Sequence, residues 1–172
     1  MTLDDGADPW SDSGADYGSA MRQAWEDEVA TETYYLALAE RHEGRARVAL
    51  ELLARVERAT ADLLAPVIAR LGLVPSAESV LVGRGLAEAA ADARLTWPEF
   101  VGHVIETYPA YVAEFEAIET MAPEADRRIV RDLTAHEVAV LDFARLEQAG
   151  AAACLAPLEE FLASLDGAEP DP

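Results

Sequence analysis

Three glutamates interrupt the apolar faces of three long helical patterns, and that conflict constrains this chain more than any other feature. The clearest case is His136-Glu137-Val138-Ala139-Val140, inside a helical pattern from Glu124 to Gln148. With Leu133 at the centre of the apolar stripe and about 100° per residue, Ile129, Val130, Val140 and Ala144 fall within about 60° of it. Glu137 lies on that stripe, about 40° from its centre, and His136 on its edge. A carboxylate in the middle of an apolar face is costly unless another side chain, a proton or a metal pairs with it.

The conflict recurs in the first half of the chain. A pattern from Ala20 to His42, with Ser19 as its N-cap, carries Met21, Ala24, Glu28, Thr31, Tyr35 and Leu38 on one stripe. The neighbouring Glu26 and Asp27 lie on the flank or further round, where solvent is expected. After the break Glu43-Gly44-Arg45, a second pattern runs to Leu71, and Gly72 stands as a C-cap would. Its stripe includes Leu53, Val56, Glu57, Thr60 and Leu64. Pro66 inside it should kink or divide the helix.

A long connection follows, from Val74 to about Thr96. Gly83-Arg84-Gly85 reads there as a turn, and Leu86 to Arg94 as a short helix. Thr96 and Glu99 have capping-box spacing, with Pro98 in the first turn. They open a third long helix that runs to about Met121, with Val104, Tyr108, Tyr111, Phe115 and Ile118 on its stripe. Pro109 should bend it. Ala122-Pro123 makes a tight turn into the fourth helix, and Leu155 to Leu165 forms a short fifth one. The order is hairpin, long crossover, hairpin, and no alternating β pattern competes.

The 172 residues suit one domain with a real core. The net charge of -20 disfavours nucleic acid and anionic membranes, because both need a basic footprint. The single Cys154 excludes an internal disulfide framework, fits a reducing cytoplasm and reads as a small apolar packer. No charged-then-apolar leader opens the chain, and no run reaches the roughly 18 apolar residues that span a bilayer. Residues 1–18 and 166–172, rich in Asp, Gly, Ser and Pro, read as disordered tails around a bundle over residues 19–165.

Glu28-Val-Ala-Thr-Glu-Thr-Tyr-Tyr35, Glu57-Arg-Ala-Thr60-Ala61 and Glu137-Val-Ala-Val140 resemble the ligand motifs of the ferritin-like superfamily, rubrerythrin-type di-iron domains in particular. The resemblance covers residues 20 to 149. It implies an all-α, antiparallel four-helix bundle in which Glu28, Glu57 and Glu137 converge at mid-depth. Two departures matter. Thr60 and Val140 stand at both histidine positions of the family's paired Glu-x-x-His motifs, and the third helix offers Val and Tyr where a glutamate belongs. His103 and Glu106, three residues apart, fall on that helix's outer side unless Pro109 rotates it.

The family's di-iron centre is therefore not intact. The reading that remains is a small-molecule-transforming enzyme with a degenerate carboxylate core. Glu28, Glu57, Glu137, Tyr35 and Thr60 are its catalytic candidates, and Glu28, Glu57, Glu137 and His136 its metal candidates. The cofactor is iron or manganese in a non-standard site, or none. The expected ligand is small, largely apolar and held in the bundle core; a homodimer is compatible with the sequence. Two alternatives stand beside this reading. One is a non-catalytic binding or assembly module, in which the three acids pair with Arg58, Arg145 or tyrosine hydroxyls. The other is a rubrerythrin-type oxidoreductase. His136 as a hydrogen-bonded structural residue and His42 at a helix C-terminus need no ligand role.

Overall fold

The computed structural model describes residues 15–166, and among them all regular structure is helical. α1 spans Ala15–Ala39, α2 Gly44–Arg70, α3 Glu78–Asp92 and α4 Trp97–Met121. A short 3-10 turn at Glu124–Asp126 leads into α5, Arg127–Gln148, and α6 covers Ala156–Asp166. α1 packs along α2, and α4 along α5; α3 lies on α1, and α6 closes against α5 and α2. No described helix is long and apolar enough to cross a membrane.

Local signals fix most boundaries. Gly72 takes a left-handed φ of 63° just past the end of α2, a conformation that costs glycine little. The capping box at Thr96 and Glu99 forms, with Pro98 in the first turn of α4. Two boundaries differ from the sequence reading. α1 starts at Ala15, because Tyr17 is buried and donates a 3.0 Å hydrogen bond to Asp126. So residues 15–18 belong to the helix, while the expected disorder of residues 1–14 and 167–172 lies outside the described residues. α1 ends at Ala39, short of His42, whose ring meets Trp97 instead. Pro66 and Pro109 lie within continuous helices, so neither divides its segment.

Gly83-Arg84-Gly85 is the clearest correction, since the whole run lies inside α3. The glycine has a packing role there. A Cβ on Gly85 would sit 2.2 Å from the Ala30 carbonyl oxygen and 2.9 Å from Thr33 Cβ, so α3 can approach α1 only with glycine at this position. Nothing lies within 4 Å of the corresponding point on Gly83. Gly85→Ala should therefore cost about 1–3 kcal/mol or more by overpacking. Gly83→Ala should be neutral or stabilise by up to about 1 kcal/mol, the ordinary helix preference for alanine. Denaturant midpoints of the two variants check this; equal effects would mean that α3 does not rest on α1 through Gly85.

The apolar core has two main clusters. One gathers Leu50, Leu53, Val56, Val140, Phe143 and Leu158; the other gathers Met21, Leu64, Val67, Phe115, Val130 and Leu133. Along each helix the expected polar residues fall between them: Glu28 between Ala24 and Tyr35, Glu57 between Val56 and Leu64, and Glu137 between Leu133 and Val140. The bundle thus carries one polar layer between two dry ones.

Candidate carboxylate and histidine site

Glu28 from α1, Glu57 from α2 and the adjacent pair His136 and Glu137 from α5 meet in that layer, all of them buried. His136 is at its centre. Its Nε2 lies 3.5 Å from Glu28 Oε2, 3.7 Å from Glu57 Oε2 and 3.5 Å from Glu137 Oε1. Its Nδ1 is 2.6 Å from the Leu133 carbonyl oxygen. A carbonyl can only accept, so Nδ1 carries the hydrogen and Nε2 is the atom turned to the carboxylates. The rings of Phe115 and Phe161 stand 6.0 and 6.2 Å from the imidazole and keep its surroundings apolar.

The sequence places His136 at the edge of its stripe, yet it is 1% exposed. The reason is that α5 packs on α4, α2 and α6 together, so even an edge position is enclosed. Its chemical role was legible only as one of several possibilities, because the wheel sees one face and not three neighbours.

Three carboxylates cannot share a dry layer as three bare charges. The chain has 13 arginines and no lysine, and among the described residues no arginine pairs with this group. Arg58 binds Glu32, and Arg145 binds Asp142. The structure thus leaves neither arginine as a counter-ion for the three acids; tyrosine hydroxyls, the other partners the binding-module reading offered, are unaffected. Protons compensate in the metal-free chain. Burial, with the Glu57 carboxylate alongside, raises Glu28 well above the usual carboxylate range. Burial raises Glu137 to about 7, against an opposing pull from His136. Glu28 Oε2 and Glu137 Oε2 still lack any hydrogen-bond partner.

The spacing fits a single cation. Separations of 3.5 to 3.7 Å are too long for strong hydrogen bonds. Ligand atoms each about 2.1 Å from a common ion at tetrahedral angles are about 3.4 Å apart. Glu28, Glu57 and His136 each offer one ligand atom, all within 4.8 Å of one another. Carboxylate oxygens with one imidazole suit iron, manganese or zinc. A second ion finds no ligands. Val140 packs in the core, α4 contributes no buried carboxylate, and His103 and Glu106 are exposed.

A cavity of about 400 Å³ opens above this layer between α1, α3 and α4, with Glu28, Glu57 and Glu137 in its lining. It exists because α1 and α4 meet little along their length. Tyr35 and Tyr108 also line it, their hydroxyls bonded to each other, and burial raises both phenols well above their ordinary value. Tyr111, read from sequence as a core aromatic, is 47% exposed at the rim.

Thr60 is buried, but its hydroxyl donates to the Val56 carbonyl at 3.0 Å and it does not line the cavity. The hydroxyl bonds its own helix, as mid-helix threonines commonly do, and the structure does not bring Thr60 together with the cavity-lining candidates. Glu26 is likewise corrected. It is buried rather than solvated, and accepts the Ser76 backbone N–H at 2.8 Å and a bond from Arg22. Tyr108, a core aromatic on the sequence reading by its place on the same stripe as Val104 and Phe115, lines the cavity instead.

No protein-family model, curated protein or solved structure matches the chain.

Proposed function

We propose that this chain is an enzyme of ferritin-like fold that transforms a small molecule in the cavity between α1, α3 and α4, over a single-ion site. Glu28, Glu57 and His136 hold one divalent cation, with the Glu137 carboxylate alongside, 3.5 Å from His136 Nε2. The carrying observation is the arrangement around His136 Nε2: three carboxylate oxygens at 3.5 to 3.7 Å with no arginine of the described residues paired to them. The two paired hairpins and the crossover helix α3 support the ferritin-like assignment.

A bound divalent ion would supply Lewis acidity, and iron or manganese would add redox capacity. The chain's own groups do the rest. The Leu133 carbonyl fixes the imidazole so that Nε2 faces the cavity floor. The apolar clusters above and below exclude water, which strengthens every electrostatic contact in the layer. Tyr35 and Tyr108 present a hydroxyl pair beside the carboxylates, able to orient a polar group of the substrate and to hand it a proton.

A second reading, metal-free acid–base catalysis, is favoured by one observation: Glu137 is held near 7, where a carboxyl both gives and takes protons at neutral pH. Metal content separates the two. Protein purified without chelator should carry close to one iron, manganese or zinc per chain. No metal would leave the acid–base reading, and two per chain would contradict the single-ion site.

A further inference from the structure

The cavity walls say more than its floor. Seven of its lining residues are acids, while Arg84 and His103 are the only basic ones. Arg84 Nη2 binds Asp27 and donates to the Glu26 carbonyl, both at 2.7 Å, which neutralises much of its charge, while its Nε is buried without a partner. Asp92 accepts the Tyr34 hydroxyl at 2.9 Å, which turns both side chains toward one wall. Glu88 and Glu114 stand exposed on α3 and α4 at opposite sides of the opening. The aromatic residues Tyr34, Tyr111, Phe100 and Phe115 line the same cavity.

Acidic side chains are common on a chain of net charge -20, so the acids alone define nothing. Two independent features give them meaning. Glu28 and Glu137, 3% and 7% exposed, line the cavity with a carboxyl oxygen each that nothing in the protein satisfies. Aromatic residues line the cavity with the carboxylates, and ring faces attract cations. Three ionised glutamates around one divalent ion would also remain one charge negative, so a metal-loaded floor repels anions.

We propose that the ligand of this cavity is an organic cation, a protonated amine with an apolar body. The ammonium would lie among the carboxylates and ring faces, and the apolar part against Phe100, Val104, Phe115 and Ile118. This rests on the reading of the cavity as the substrate chamber, and it narrows the substrate class from apolar to cationic and apolar.

The test is calorimetric titration of the full chain with three probes alike in size and different in charge: phenethylammonium, 2-phenylethanol and 3-phenylpropionate. The amine should bind at least about tenfold tighter than the alcohol, and the anion most weakly. Replacing both exposed rim acids, Glu88→Gln with Glu114→Gln, should weaken the amine about three- to tenfold and leave the alcohol unchanged. Equal binding of amine and alcohol, preference for the anion, or binding of none of the three would overturn the proposal. Metal content measured on the same sample judges the ion separately. Amine selectivity without metal supports the cationic ligand and removes the ion; metal without amine selectivity does the reverse.

Discussion

Adding a divalent cation to the chelator-treated chain should raise its melting temperature by about 5–10 °C, and His136→Ala should abolish most of that rise. The first figure follows from mass action. A ligand at a hundredfold excess over its dissociation constant adds about 2.7 kcal/mol to the folded state. For a domain of this size each kcal/mol moves the midpoint by about 2–4 °C. The second follows from geometry, because His136 Nε2 is the one nitrogen ligand and the point that all three carboxylates face. Alanine would leave three mutually repelling acids with no common partner. The buried ring also contributes to packing, so the variant starts from a lower midpoint; the metal-induced shift is the readout, not the baseline. Loose binding of cations to the acidic surface would shift both chains alike. Equal shifts in the native and His136→Ala chains would remove the imidazole from the site.

The metal-free chain should lose stability as pH rises through neutrality, opposite to the usual behaviour of paired surface acids. Burial raises Glu137 to about 7 in the folded chain, against about 4.3 when unfolded. Between those values the folded chain holds a proton that the unfolded chain has released, so raising the pH favours unfolding. The Glu137 contribution is fully present below about pH 4.3 and gone above about pH 7. It amounts to roughly 4 kcal/mol across that window. Glu28, raised in the same direction by burial and by Glu57, extends the decline to higher pH. Glu26, Glu99 and Glu147 are shifted down, each held by hydrogen bonds that outweigh any burial, and act in the opposite direction. The difference between the native chain and Glu137→Gln isolates the effect. Gln is neutral at every pH, so the variant should show a decline smaller by that amount in urea unfolding followed from pH 4 to 8. Identical profiles would mean that Glu137 is not held in its neutral form.

The helical periodicity and its three polar interruptions were legible in the sequence, because a 3.6-residue repeat with one misplaced acid survives any detail of packing. That is why Glu28, Glu57 and Glu137 were found as a set. What a single helix wheel cannot show is how many neighbours a helix has. α5 touches three others, so His136 at a stripe edge is buried at the centre of the site. The same limit affected α4 in reverse. Its middle faces the cavity rather than a partner helix, so Tyr111 on the apolar stripe is exposed. Gly85 misled because glycine in sequence signals a turn far more often than a place where two helices touch. Glu26 misled because its partner, the Ser76 backbone N–H, lies fifty residues away in a connection that carries no pattern.

The most direct test of the single-ion site is anomalous diffraction from crystals of the chain grown with zinc. The account predicts one strong peak per chain in the layer between the two apolar clusters, about 2.0–2.2 Å from Glu28, Glu57 and His136 ligand atoms. No peak there, or two peaks bridged by the carboxylates, would contradict it.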